Sequence, residues 1–297
     1  MLQMRVSHAI FVRIPESVKS EDKKRKIDME LLRKQQEEFR GTLHEAGVHL
    51  IELPLLEGNN PPASTLLIGD LVIIIQGVAL LTRPKKDLNT ARMKQIAVVL
   101  ADLTWTVHES PATENGKTVV LEAADVLFTG REIFVGIRKG STNMEGAMVL
   151  ARIFRDFPVV PIMMNDKAHP LTYFVSLVSD SVLSIGTTKE AQAILRKIEH
   201  DSSFRYKVIS VEEDEAVACL NVNDRLIFKA DMQNPKFNVL QGSGLELWAL
   251  DVSELAKAGK PFARHCLMLD CTAGRSKNGT MSRSSTANGK PNGNGMY

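Results

Sequence analysis

The stretch Glu122-Ala123-Ala124-Asp125-Val126-Leu127-Phe128-Thr129-Gly130-Arg131-Glu132-Ile133-Phe134-Val135-Gly136 decides the fold. Two short runs of Val, Leu, Ile and Phe flank Thr-Gly-Arg-Glu, which reads as a β-hairpin turning at Gly130. Glu122 and Asp125 stand at the entry to the first strand, three residues apart. On an extended chain that spacing sends them to opposite faces, one toward a pocket and the other to cap or anchor.

Working outward, the hairpin is followed by an amphipathic helix from about Met144 to Phe154 and a strand at Val159 to Met163. The same order precedes it: a hairpin of Asp70 to Ile75 and Val78 to Pro84 turning at Gln76-Gly77, a helix from Asn89 to Asp102, and a strand at Thr104 to Glu109. Asp70 and Asp125 open the two hairpins and Arg83 and Arg138 close them, a repeat of about 55 residues in the order strand, strand, helix, strand. A third copy runs through Ser181 to Gly186, Lys189 to Ile198 and Tyr206 to Val211. A fourth runs through Ala216 to Val222, Asp224 to Phe228 and Leu245 to Leu250. Near the N-terminus, Ala9 to Pro15 and Val48 to Pro54 read as strands around an amphipathic helix from Asp28 to Leu43, with a loop from Leu56 to Ser64. A fifth unit would be split between the chain ends. No unit can bury its apolar face alone, so the copies pack side by side. Hairpins ahead of each helix argue against a doubly wound parallel sheet.

The 297 residues are 44% hydrophobic and 24% charged, the balance of a globular chain, and the net charge of +2 gives no reason to expect nucleic acid or a membrane surface as partner. The N-terminus lacks a signal-peptide pattern and no run is long enough for a transmembrane helix, which points to a cytoplasmic protein. Three cysteines, Cys219, Cys266 and Cys271, have no ligand-like spacing and read as reduced thiols rather than a disulfide frame or zinc site. Met163-Met164 reads as core packing. Residues 1–271 are expected to form the folded domain. Residues 272–297, nearly without large apolar side chains, are expected to be a disordered tail. The oligomeric state is left open by the sequence.

The hairpin Ala124 to Gly136 resembles that of the dimethylarginine dimethylaminohydrolases. So do Val12-Arg13-Ile14-Pro15-Glu16-Ser17, Ala79-Leu80-Leu81-Thr82-Arg83-Pro84 and Val252-Ser253-Glu254-Leu255, and the likeness extends from Ser7 to Leu269. The resemblance implies an α/β fold of pentein type, a five-bladed propeller of strand-strand-helix-strand modules around a central pocket. It implies hydrolysis of a small guanidine, methylated arginine, to citrulline and dimethylamine, and with it a place in arginine metabolism and nitric oxide regulation. In that chemistry a thiolate attacks the guanidinium carbon, a histidine protonates the departing amine, and water releases the covalent intermediate, with neither cofactor nor metal. Carboxylates hold the planar guanidinium in line and arginines take the substrate carboxylate.

Carried onto this chain, the resemblance makes Cys266 the nucleophile, His169 the acid, Glu122 the carboxylate that orients the histidine, Asp70 a guanidinium anchor, and Ile14 a backbone contact to substrate. Departures accompany these matches. Gly69 replaces the first acid of a Glu-Asp pair, Ala123 and Ala124 replace two glycines, and Ser64 an aspartate. Asn89 and Gly140 replace arginines, for which Arg92, Arg138 and Lys139 are the nearby stand-ins. Without gaps, Pro170 falls where the histidine belongs and Arg264 where the cysteine belongs. One inserted residue brings in His169, and two bring in Cys266. His265, next to the thiol, would point to the opposite face of an extended segment. Two functions follow: a hydrolase of methylated arginine, or of a guanidine lacking the carboxylate such as agmatine, and a pentein that kept the scaffold, lost the chemistry and acts as a binding or regulatory protein.

Overall fold

The computed structural model describes residues 5–20, 26–56, 60–85, 90–214, 217–230 and 236–270. The segment read as a tail, 272–297, lies outside them, as do Asn89, Ala216 and Cys271. In chain order, β1 (Val6–Val12), α1 (Met29–Glu45) and β2 (His49–Leu53) come first. Next are β3 (Val72–Ile75), β4 (Val78–Leu81), α2 (Thr90–Leu103) and β5 (Thr106–Glu109), then a small hairpin of β6 (Thr113–Glu114) and β7 (Lys117–Thr118). The hairpin of the opening quotation is β8 (Val126–Phe128) and β9 (Ile133–Ile137), followed by α3 (Met144–Ile153) and β10 (Val159–Met163). A short helix α4 (Leu171–Phe174) leads into β11 (Val175–Ser179), β12 (Val182–Gly186), α5 (Lys189–Asp201) and β13 (Lys207–Val211). The chain ends with β14 (Cys219–Val222), β15 (Arg225–Lys229), β16 (Glu246–Leu250), α6 (Ser253–Ala258) and β17 (Cys266–Asp270).

These strands make five three-stranded sheets, ordered β3-β4-β5, β8-β9-β10, β11-β12-β13, β14-β15-β16 and β17-β1-β2. In each, the first pair is antiparallel and the second parallel; a hairpin joins the first pair in four of them, β17 and β1 come from opposite ends of the chain in the fifth, and a crossover connection joins the second pair in all. This is the pentein propeller. The blade split between the chain ends is the one that closes it, with β17 pairing along β1 from Phe11 opposite Cys266 to Val6 opposite Asp270. The third blade contains a strand that the sequence reading left out, β11; the fourth has only a 3-10 turn, Lys236–Leu240, described where the others carry a helix.

Local chemistry accounts for the element ends. Asp28 caps α1 by accepting from the amides of Glu30 and Leu31, and Asn143 caps α3 by accepting from Gly146. Gln76 and Gly77 both take positive φ, the turn that matches strand twist in a two-residue hairpin. Phe11, Phe39 and Phe262 stack edge to face beneath the closing blade. Met164 is buried as expected, whereas Met163 is 54% exposed because alternate residues of a strand face opposite sides.

The opposite-face expectation for Glu122 and Asp125 is corrected. Ala123–Asp125 is a 3-10 turn rather than extended chain, and both carboxylates reach the same guanidinium, that of Arg138. Asp125 is fully buried and accepts from Arg138 Nε at 3.1 Å and Nη2 at 2.9 Å, from the Thr142 hydroxyl at 2.8 Å and from the Leu171 amide at 3.1 Å. It thereby ties the β8-β9 hairpin to the approach to α3 and to the loop before α4. Gly136 belongs to the same knot, since a Cβ there would sit 2.7 Å from the Met164 sulfur and 3.0 Å from Leu171 Cβ. Asp125→Ala is expected to cost about 3–5 kcal/mol by leaving Arg138 buried without its main partner. Urea unfolding of variant and parent measures it.

Candidate functional site

A cavity of about 340 Å³ lies where the blades converge, walled by the first strands and the turns before them; Cys219 and Cys266 both line it. Cys266 opens β17 directly after the 3-10 turn Phe262–His265, and its thiol donates a long contact to the Ala263 carbonyl at 3.5 Å. It is buried, and burial pushes it up to about 12, as it does Cys219. At pH 7 that leaves on the order of one thiolate in 10⁵.

Asp70 sits in a 3-10 turn, Ile68–Asp70, ahead of β3. Both its carboxylate oxygens are bonded by the guanidinium of Arg264, through Nε and Nη2, and Arg264 Nη1 also donates to the Lys260 carbonyl. This is the bidentate geometry that carboxylates offer a guanidinium ligand, made here within the chain. Gly69 permits it. A Cβ at that position would lie 2.9 Å from the Cys266 carbonyl oxygen and 3.1 Å from Arg264 Cα, so the 264–266 backbone runs through the space that a larger residue would need.

Glu122 is likewise engaged, accepting from Ser141 Oγ at 3.0 Å and from Arg138 Nη2 at 3.3 Å. Burial, followed by the negative charges of Asp125 and Asp70, raises it above the usual carboxylate range against the pull of Ser141 and Arg138. Three carboxylates, Asp70, Glu122 and Asp125, are thus met by two guanidinium groups of the chain itself.

His169 is exposed on the loop before α4, its ring 4.2 Å from that of Tyr173, and it acts electrostatically on Asp214. Among the described contacts, none joins His169 to Glu122 or to Cys266. Arg138, proposed as a stand-in for substrate binding, has a side chain 9% exposed and spends its donors on Asp125, Glu122 and the Ala168 carbonyl. Arg92 is buried on α2, donating to the Pro54 carbonyl at 2.8 Å and to Gln95. Ile14, past the end of β1, packs half-buried against the closing blade's core. The structure therefore brings Asp70 and Glu122 near one another and places Cys266 in the neighbouring cavity wall. It keeps His169, Arg92 and Ile14 out of that wall. No group of three or more His, Cys, Asp or Glu among the described residues is arranged to hold a metal.

No protein-family model matches the chain. It is 29% identical to the protein named DDAH2 of Bos taurus, and equally to that of Homo sapiens, over 279 residues that cover 89% of this chain and 95% of theirs. A mutant dimethylarginine dimethylaminohydrolase of Pseudomonas aeruginosa, in complex with citrulline, superposes with a TM-score of 0.70 at 19% identity, covering 89% of this chain and all of that one. The chain thus resembles the dimethylarginine dimethylaminohydrolases in sequence over most of its length and shares their fold. The N-terminal domain of the cyanobacterial arginine dihydrolase ArgZ, bound to substrate, shares the fold with a TM-score of 0.69 at 17% identity, over 90% of this chain and 98% of that one.

Within this family frame the residue sequence reasoning passed over is Arg264. The signal was present, since the ungapped register set Arg264 at the cysteine position, and the arginine projects from there onto Asp70. His265 ends the 3-10 turn Phe262–His265 rather than lying in an extended segment, and it is fully buried. Its Nε2 donates to the Leu255 and Gly259 carbonyls at 2.8 and 3.2 Å, which leaves Nδ1 as an acceptor with no partner. Burial lowers His265 to about 4.

Two outcomes follow. The unfolded histidine binds a proton that the folded one refuses, so stability rises with pH through this window. As pH falls from about 6.5 to 4, up to about 3 kcal/mol is lost, which urea midpoints will show and His265→Asn will flatten. Arg264→Ala takes from Asp70 its bidentate guanidinium partner, at a cost of about 1–3 kcal/mol. Methylguanidinium in solution is expected to refill the site and raise the melting temperature of that variant but not of the parent.

Proposed function

We propose that this chain is a non-hydrolytic pentein, a cytoplasmic binding or regulatory protein built on the scaffold of the guanidine hydrolases. One observation carries the reading: the carboxylate that would hold a substrate guanidinium, Asp70, already holds Arg264. A free guanidine has to displace a partner whose effective concentration is fixed by the fold. The thiol and the histidine agree with this. Cys266 has no basic neighbour to lower it, and His169 touches neither it nor Glu122. The arginines that would anchor an amino-acid carboxylate are engaged inside the protein, Arg138 with carboxylates and the Ala168 carbonyl, and Arg92, buried on α2, through Nη1 with Pro54 and Gln95. The described thiols, Cys219 and Cys266, are both free and buried, which suits a reducing compartment.

A second reading has its own support. Cys266 lines the central cavity, and the DDAH2 relatives cover nearly the whole chain. On that reading the protein hydrolyses methylated arginine, or agmatine, to release the amine through a Cys266-linked intermediate, with His169 as acid and Glu122 behind it. Arg264 would then have to swing off Asp70 and His169 turn inward before attack.

Citrulline or carbamoyl-amine release from asymmetric dimethylarginine, monomethylarginine, arginine and agmatine separates the two. No release above the blank by the folded parent is the expected result, with Cys266→Ser indistinguishable from it. Turnover that Cys266→Ser abolishes installs the second reading.

A further inference from the structure

The central cavity has walls unlike those needed by an amino acid. Leu127, Phe128, Val175, Leu177, Leu220 and Met268 line it, together with Ala123 and Ala124. Among its lining residues the only one bearing a permanent charge is Arg264, whose charge is met by the Asp70 carboxylate and whose Nη1 donates to the Lys260 carbonyl. An ammonium brought here would lose its water and find no opposite charge, and a carboxylate would find only a guanidinium already held by Asp70, so a zwitterion is disfavoured and an uncharged molecule is not. Ser176, 8% exposed, lines the same cavity and has a hydroxyl with no hydrogen-bond partner among the described residues. At about 340 Å³ the space falls within the range of small-molecule pockets.

A larger cavity adjoins this one on the side away from Asp70. A second cavity of about 870 Å³ opens toward the hairpin turns at Asp180 and Asp224, and Phe128, Leu177, Asn221 and Met268 line both. Those four side chains are the partition between the two spaces.

We propose that the central cavity is a binding site for a small uncharged, mainly apolar molecule carrying one hydrogen-bonding group, the size of a bicyclic aromatic, admitted past Phe128 and Met268. The proposal rests on the reading of the protein as a binding pentein and names its ligand class.

Indole and 2-naphthol serve as probes, titrated into the full chain by calorimetry with arginine and asymmetric dimethylarginine as charged controls. Saturable binding of a neutral probe, absent for both amino acids and weakened at least tenfold by Ala218→Phe, is expected. Ala123→Leu, at a half-exposed wall position, substitutes if Ala218→Phe does not fold. Surface substitution Trp105→Ala is expected to leave affinity unchanged. Failure of both neutral probes to bind the folded parent overturns the proposal, and so does affinity that survives the wall variant. Citrulline release would instead overturn the functional reading beneath it, so the two failures are told apart by different measurements.

Discussion

A fully buried carboxylate, Asp125, holds the structure together where the second blade meets the third. Placing a charge where water cannot reach it is costly unless every lone pair is used, and Asp125 uses its oxygens on a guanidinium, a hydroxyl and a backbone amide. The consequence spreads through Arg138, which must stay in place to compensate that charge and so is committed to Asp125, Glu122 and the carbonyl before His169. The position of the loop carrying His169 is in this way set by an ion pair laid down for stability.

The acidic corner beside it follows the same economy of charge. Asp70, Glu122 and Asp125 lie close enough for their repulsion to raise Glu122, and the chain answers with Arg138 and Arg264 rather than leaving room for a ligand's cation. Gly69 and Arg264 are therefore coupled through Asp70. The glycine makes space for the backbone of the arginine, and the arginine neutralises the acid that remains.

Much of the fold was legible because it rests on local rules. The hairpin turn at Gln76-Gly77, the caps Asp28 and Asn143, and the repeated order of strands and helix can all be read from residue type and spacing. What escaped depended on short-range geometry that periodicity does not encode. The 3-10 turn at Ala123–Asp125 brought two carboxylates together that alternation would separate, and β11 follows directly on a helix of one turn, so no loop residue marks its start. The site was less legible still. Residue types suited to catalysis were present, but whether Asp70 faces a ligand or Arg264 is settled by a contact across 194 residues of chain.

The pairing of β17 with β1 has a bearing on how the molecule comes into being. Val6 and Asp270 stand opposite one another, so the blade that joins the ring is made from the first and last strands described. On a ribosome the intermediate blades can form as they emerge, while β1 waits with one edge unpaired until residues 266–270 are out. The slowest contact to form is then also the one that carries Arg264 and Cys266 into position, and the axial cavity acquires its last wall only when synthesis has passed them.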